Sequence, residues 1–230
     1  MDFSPFDKRG YPRVTARIGY GEWAARYEAT VAAGLDRPLL NDLASADWGN
    51  LTTAVDLACG TGPTGLWLAQ HGVRHIDGVD VTSEMLEITK NKHVYRHLQV
   101  ADVTATALRS SAYDLCSMVL ADEHLVELKP VYREAARLLR DQGNFVLVGY
   151  HPFFLMNGVP THYHRADGEA VMIESHIHLF SEHFQAGGEA GLILIDFREC
   201  IIDEHWLLTK PKWREYLNWP VSFALVWRRG

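Results

Sequence analysis

The sequence predicts an α/β fold: a doubly wound, mostly parallel seven-stranded sheet with an antiparallel hairpin inserted after the fifth strand. Three observations favour it. Short apolar segments alternate with helical segments between residues 53 and 152, which is typical of a parallel sheet. Two further strand segments, LILIDFREC and VSFALVWRR, follow towards the end of the chain. Between these regions the pair Asp167-Gly168 marks a hairpin turn.

The elements follow in a regular order. Residues 15–45 look helical, so residues 1–45 would form an N-terminal helical cap. The strand TAVDLAC runs into a glycine-rich turn, and the helix PTGLWLAQHG follows. HIDGVDVT, RHLQVADV, YDLCSMVLA and NFVLVGYHP are the next four strands, and a helix is predicted over residues 128–143. With the hairpin at 153–180, we expect residues 1–230 to form a single domain.

Composition narrows the class of protein. The formal net charge is −7 and the hydrophobic fraction is 47%. A negative chain lacks the electrostatic footprint for nucleic acid or an anionic membrane, so neither is expected as a partner. The three cysteines are far apart and read as reduced core residues in a cytoplasmic protein. The N-terminal segment has no apolar signal, and no apolar run approaches the length of a membrane span.

One short motif carries the strongest signal. VDLACGTGPTG fits the pattern G-x-G-x-x-G, which often cradles a pyrophosphate. Yet the first three strands end at Asp56, Asp80 and Asp102, and strand ends meet at one edge of a parallel sheet. Three carboxylates would repel a pyrophosphate but suit a cationic ligand such as S-adenosylmethionine. Singly, each aspartate could be a turn or cap residue, and Asp56 could simply cap the glycine loop.

The chain resembles the class I S-adenosylmethionine-dependent methyltransferases, which have a Rossmann-like seven-stranded sheet. VDLACGTGPTG, GVDVTSEML, VADV and YDLCSMVLADEHL look like four of their motifs, and the resemblance covers Tyr20 to Pro152 closely. It implies S-adenosylmethionine as cofactor and S-adenosylhomocysteine as product. It also implies that Asp80 holds the ribose hydroxyls and Asp102 the adenine amino group. The implied cofactor-binding residues are Asp56, Ala58, Gly60, Gly62, Asp80, Val81, Met85, Asp102, Val103 and Leu120.

Two histidines follow strand ends where the transferred methyl group is expected. His124 lies after the fourth strand and His151 after the fifth. Histidine is a natural base near neutral pH, so both are candidate catalytic residues. His124 could instead hydrogen-bond the loop backbone. Tyr20 and Trp23 could close over the cofactor and acceptor, or could be ordinary helix-to-sheet packing.

The inserted hairpin is rich in histidine. If it turns at Asp167-Gly168, His164 lies opposite Ala170 and His162 opposite Met172. One face would then carry the five candidate substrate-binding residues His162, His164, Glu174, His176 and His178. Such a face suits an acceptor pocket, a divalent metal, or a solvated or dimer-contact surface.

The sequence therefore predicts a cytoplasmic methyltransferase that transfers a methyl group to an O, N or C atom of a small molecule, as in secondary metabolism. A homodimer is compatible with it. One alternative keeps the fold but uses S-adenosylmethionine in non-methylating chemistry or in regulation. Another is an NAD(P)-dependent oxidoreductase, which the three acids disfavour.

Overall fold

A computed structural model of the chain describes residues 1–31 and 35–230. The strands of this part are β1 Arg13–Val14, β2 Thr53–Leu57, β3 His75–Asp80, β4 Tyr95–Val100, β5 Tyr113–Val119, β6 Leu139–Tyr150, β7 His162–His164, β8 Ala170–Ile173, β9 Leu192–Ile201 and β10 Pro220–Arg229. The helices are α1 Ala16–Thr30, α2 Arg37–Asp42, α3 Pro63–Gln70, α4 Ser83–Lys90, α5 Lys129–Leu138, α6 Pro152–Met156, α7 Phe180–Glu189 and α8 Glu204–Thr209.

The main sheet has seven strands in the order β4-β3-β2-β5-β6-β10-β9. The first five run parallel, whereas β10 lies antiparallel to both of its neighbours. Chain order reverses between β2 and β5, and a ligand crevice is expected beyond the carboxyl ends of the strands at such a switch point. The predicted fold class is confirmed.

Two apolar layers cover the faces of this sheet. On one face, Tyr132 and Leu138 of α5 pack with Phe145 and Trp227 of the sheet, and all four are buried. On the other, Leu40 of α2 and the helix α3 pack against the same strands. Residues 54–57 and 145–148 are buried on both faces, which is why these strands read as continuous apolar runs.

The inserted hairpin belongs to a second, three-stranded sheet of order β1-β8-β7. Its register pairs His162 with Met172 and His164 with Ala170, as the Asp167-Gly168 turn predicts. β8 also pairs in parallel with β1, so a segment near the start of the chain joins the insertion.

Two regions differ from the sequence reading. Within the proposed cap, α1 and α2 are separate helices, residues 32–34 lie outside the described part, and Arg13–Val14 is a strand. The helix predicted over residues 128–143 ends at Leu138. The buried side chain of Leu139 instead begins β6 and pairs with Tyr113, so burial in the sheet overrides helix propensity there. Among the described residues, no helix is long and apolar enough to cross a membrane.

Candidate functional site

The glycine loop is held in a tight, left-handed conformation by β3. Ala58, Gly60 and Gly62 have φ values of 55°, 53° and 86°. The backbone N–H of Gly60 donates to Oδ2 of Asp80 at 2.8 Å, and the N–H of Thr82 donates to Oδ1 at 2.8 Å. Burial raises the pKa of Asp80, although these bonds oppose the shift. Asp80 therefore fixes the loop and still has lone pairs for a ligand.

Asp56 lies behind this loop. Its carboxylate accepts from the hydroxyls of Tyr95 at 2.7 Å and Ser117 at 2.8 Å, and burial raises its pKa to about 6. A Cβ atom on Gly62 or Gly65 would meet the Tyr95 ring at 2.9 Å or 2.2 Å. The Tyr95 hydroxyl also accepts from the N–H of Gly65 at 3.1 Å. Asp56 and Tyr95 therefore support the glycine loop from within the protein.

A cavity of about 570 Å³ opens beyond the carboxyl ends of the parallel strands. Such a volume is typical of a small-molecule or cofactor site. Eight of the ten implied cofactor residues line it: Ala58, Gly60, Asp80, Val81, Met85, Asp102, Val103 and Leu120. Asp56 and Gly62 are outside this lining. Asp102 is exposed and accepts from Thr104 through Oδ1 only, which leaves Oδ2 towards solvent and ligand.

Tyr20 and His124 form a hydrogen-bonded pair in the wall of this cavity. The Tyr20 Oη atom lies 2.9 Å from Nε2 of His124, and Nδ1 of His124 lies 2.8 Å from the carbonyl oxygen of Glu174. A carbonyl only accepts, so Nδ1 carries a proton, and in the neutral ring Nε2 accepts from Tyr20. Burial raises the pKa of Tyr20 well above its usual value, and Tyr27 and Glu123 add to this effect.

His151 lies elsewhere. Its Nδ1 accepts from the N–H of Phe153 at 3.1 Å and caps α6, while Nε2 lies 2.8 Å from Oε1 of Glu199. It is not among the described residues that line the cavity. The structure thus brings only one of the two candidate bases to the site.

The histidine-rich set is dispersed because β8 ends at Ile173. Glu174 lines the cavity, but the four histidines do not belong to its described lining. His176 forms a backbone bridge with Asp2 and lines a separate, smaller pocket, and His178 bonds to Leu125 and Glu182. His162 and His164 stay on the short hairpin, with ring centroids 6.0 Å apart. Among the described residues, no three His, Cys, Asp or Glu side chains are grouped as metal ligands.

Sequence reasoning missed two lining residues. Glu123 is only 1% exposed, directly precedes His124 and has one oxygen without a hydrogen-bond partner. Arg37 donates through Nη2 to the carbonyl of Pro63 at 2.8 Å, and its buried Nη1 likewise has no partner. No local motif marks either residue, because only the fold brings α2 beside the glycine loop.

The charge of the cavity is negative. Six acids stand against two arginines, Arg17 and Arg37, in the described lining; the acids are Glu28, Asp36, Asp80, Asp102, Glu123 and Glu174. Such a cavity favours a cation and disfavours a pyrophosphate. The fit to S-adenosylmethionine is also chemical: Asp80 and Asp102 offer free acceptor positions, and the unpartnered Nη1 of Arg37 suits the cofactor carboxylate.

A seven-stranded sheet with one antiparallel strand, a glycine loop and acids at successive strand ends is the arrangement that the resemblance to class I S-adenosylmethionine-dependent methyltransferases implies. Residues 55–147 match the family model described as a methyltransferase domain. Residues 55–147 therefore resemble a methyltransferase domain, and the cofactor that this family implies is S-adenosylmethionine.

Relatives and solved structures agree with this assignment. An uncharacterized methyltransferase, YcgJ of Bacillus subtilis (strain 168), is 28% identical over 102 residues, which are 42% of this chain and 40% of that protein. The match thus spans well under half of this curated relative. An S-adenosylmethionine-dependent methyltransferase structure from Mesorhizobium loti has a TM-score of 0.68 at 20% identity and covers 86% of this chain and 99% of its own. The [4+2]-cyclase SpnF has a TM-score of 0.64 at 14% identity and covers 96% and 98%.

Proposed function

We propose that this protein transfers a methyl group from S-adenosylmethionine to a small-molecule acceptor. The observation that carries the proposal is that one cavity contains both the acids and glycine loop of the cofactor site and the Tyr20–His124 pair. α1 and Glu174 after β8 contribute to the wall of this concave cavity, whose volume of about 570 Å³ favours a small acceptor over a macromolecular one. Its negative lining argues against nucleic acid as a partner.

The cofactor-binding roles follow from the hydrogen-bonding positions that the lining residues leave unused. In this proposal Asp80 accepts from the ribose hydroxyls, Asp102 accepts from the adenine amino group, and Arg37 binds the carboxylate. Met85 and Val103 are buried at 1% and 8% exposure and supply apolar contact to the adenine. Asp56 supports the loop from behind through Tyr95 and has no direct contact with the ligand.

The remaining chemistry requires little of the chain. S-adenosylmethionine supplies a methyl group already activated on a sulfonium. The residues must orient the acceptor, exclude water and remove a proton where the acceptor carries one. Nε2 of His124 is the proton acceptor in this proposal, and the Tyr20 hydroxyl relays the proton to it. The Glu174 carbonyl holds the tautomer that leaves Nε2 free to act.

Calorimetry with S-adenosylmethionine, followed by detection of S-adenosylhomocysteine in the presence of acceptor pools, tests the proposal. We expect binding to the parent protein and at least tenfold weaker binding to Arg37→Met, since a charge-assisted bond is lost. Arg26→Met is a matched control, because that α1 arginine bonds the carbonyl of His164 outside the cavity lining. Absence of cofactor binding by the folded parent protein would contradict the proposal.

One second candidate has a specific observation in its favour. The [4+2]-cyclase SpnF shares this fold over 96% of the chain, so a non-methylating reaction is the alternative use of the same site. Methyl transfer and a non-methylating reaction differ in what happens to the cofactor. Methyl transfer consumes the cofactor and releases S-adenosylhomocysteine in equal amounts, whereas a reaction that only uses the bound cofactor leaves its concentration constant.

A reducing compartment is part of the proposal. Cys59 and Cys116 are buried free thiols, and Cys200 is a half-buried free thiol. All three sequence cysteines are thus unpaired, as expected where thiols stay reduced. The cytoplasm meets this condition.

A further inference from the structure

Glu123 lines the cavity, and one of its carboxylate oxygens is buried without a hydrogen-bond partner. Its side chain is 1% exposed, and Oε2 has no hydrogen-bond partner among the described residues. Oε1 has only distant partners: the Thr161 hydroxyl at 3.4 Å and Nε2 of His124 at 3.5 Å. A buried carboxylate oxygen without a donor is costly, and native proteins rarely keep one without a role.

The neighbouring acid, Asp122, lies outside the described lining of this cavity. Burial raises the pKa of Asp122 well above its usual value, and the charge of Glu123 raises it further. Asp122 points towards His183, with 3.6 Å between Oδ2 and Nε2, and away from the cavity. Glu123 is therefore the member of the pair that presents a carboxylate to the ligand.

Aromatic side chains line the same cavity as this carboxylate. Tyr20, Tyr27 and Tyr150 line the same cavity, and the charge of Glu123 raises the pKa of each, although burial is the larger cause. Trp23 packs between two of them, with ring centroids 6.0 Å from Tyr20 and 4.9 Å from Tyr27. Electron-rich rings around an acid attract a cation, through both their faces and the opposite charge.

The two lining arginines are held elsewhere. Arg37 is bonded to Pro63 at the glycine loop, and Arg17 of α1 lies near Glu84 of α4, where hydrogen bonds of Glu84 with its own backbone and with Ser83 lower the pKa of that acid and Arg17 adds a smaller effect. No lysine belongs to the described lining of the cavity. Within the described lining, the cation that best complements Glu123 is therefore one that a bound molecule brings with it.

We propose that the methyl acceptor is an amine, bound as its ammonium ion between Glu123 and the rings of Tyr20, Tyr27 and Tyr150. This inference rests on the proposed function and specifies its substrate class. Before transfer the ammonium loses a proton, which passes to Glu123 or to Nε2 of His124. The nitrogen lone pair then forms the new bond to the methyl carbon, and the electron pair of the carbon–sulfur bond remains on sulfur. The products are an N-methylated ammonium and a neutral thioether.

Ligand binding tests the inference without turnover. The protein is first saturated with S-adenosylhomocysteine, which checks the cofactor site separately. Thermal unfolding is then followed with phenethylamine and n-butylamine, and with 2-phenylethanol, n-butanol and 3-phenylpropionate, at equal concentration and ionic strength. We expect the ammonium probes to raise Tm and the alcohols and the carboxylate to leave it nearly unchanged.

Glu123→Gln keeps the size of the side chain and removes its charge. We expect it to bind the ammonium probes about ten- to a hundredfold more weakly, with cofactor affinity retained, because a charge-assisted bond is lost. The matched control is Glu127→Gln, an exposed acid four positions along the same segment, which should bind like the parent.

Three outcomes would overturn the inference: alcohols that stabilise as much as amines, no stabilisation of the parent by either amine, or an amine effect that survives Glu123→Gln. The comparison of amines with alcohols on the parent protein is decisive even if the variant fails to fold. If the protein does not bind S-adenosylhomocysteine, that result would instead contradict the proposed function.

Discussion

The hydroxyl of Tyr20 in α1 and Nε2 of His124 after β5 lie 2.9 Å apart, although 104 positions separate them along the chain. Their ring centroids are 5.3 Å apart in an edge-to-face arrangement. The pair closes the cavity from one side and connects the N-terminal helix to the sheet. It joins the one histidine of the described lining to a second proton-bearing group.

Removing the hydroxyl tests this pair. Tyr20→Phe keeps the ring and its packing, but Nε2 of His124 loses its donor. Since general acid–base groups contribute about 10²–10⁴-fold, we expect kcat to fall by at least about 10² with a protonated acceptor, while cofactor affinity stays near that of the parent. Tyr11→Phe is the control, because Tyr11 packs on His162 outside the cavity. Equal kcat values for Tyr20→Phe and Tyr11→Phe would exclude the relay.

Cofactor affinity should depend on the two strand-end acids unequally. Asp80→Ala removes bonds to the ligand and also leaves the N–H groups of Gly60 and Thr82 without their acceptor. We expect a ten- to hundredfold loss of S-adenosylmethionine affinity, from about 1.5–3 kcal/mol for charge-assisted bonds. Asp102→Ala should weaken binding less, since its partner is a neutral amino group. Calorimetry on folded variants measures both, and unchanged affinity in Asp80→Ala would refute the assignment.

The pH dependence of stability should carry the signature of His183. Its buried ring has a pKa lowered from 6.5 to about 3 by burial, and its Nδ1 lies 2.9 Å from the Tyr132 hydroxyl. Between those values the unfolded chain binds a proton that the folded chain does not. The stability that the neutral His183 ring contributes to the free energy of unfolding is therefore fully present above pH 6.5. It is lost as the pH falls below 6.5, by about 1.4 kcal/mol per pH unit at most.

Urea denaturation between pH 4 and pH 7 measures this effect. His183→Gln should lose stability on acidification less steeply than the parent. His75→Gln is the control, because the exposed ring of His75 contacts water in both states. If the two variants have the same slope, the buried ring does not govern acid sensitivity.

The third glycine of the motif should be required for packing. A Cβ at Gly65 would lie 2.2 Å from Cζ of Tyr95, whose hydroxyl holds Asp56. Gly65→Ala should lower the free energy of unfolding by about 1–3 kcal/mol and weaken cofactor binding as the loop shifts. Gly188→Ala in α7 meets nothing within 4 Å and should be neutral or stabilising. Denaturant titration measures the free energy of unfolding of both variants. Equal stabilities would contradict the requirement for glycine at position 65.

Periodicity and turn chemistry were sufficient to predict the sheet and the hairpin register from the sequence. Strand ends then placed Asp80 and Asp102 correctly on the cavity. The remaining features depend on three-dimensional placement. Asp56 carries the same local signal as Asp80, yet Tyr95 on the next-but-one strand holds it below the loop. The histidine face failed to extend because β8 ends at Ile173, where the chain turns to pair with the N-terminal segment.

Glu123 and Arg37, in contrast, line the cavity although no sequence pattern predicts them. Glu123 lies beside His124 in the sequence, but its importance comes from burial without a partner, which no sequence pattern reports. Arg37 reaches the glycine loop only because α2 packs against the sheet. The pattern of strands in the sequence predicts which residues lie at the edge of the sheet. Long-range packing determines which of those residues line the same cavity.

The pairing of β1 with β8 has a consequence for how acceptor preference is encoded. α1 follows β1 directly, so two additions to the sheet, residues 1–31 and the insertion at 153–180, supply part of the cavity wall beside Glu123 after β5 and Tyr150 of β6. These two pieces interlock with each other through backbone pairing, while the donor half of the site lies on the strands beneath. They form an exchangeable module: transplanted together onto another sheet of this fold that has a carboxylate and a tyrosine at the positions of Glu123 and Tyr150, they should carry their selectivity, whereas either piece transplanted alone would lack its pairing strand.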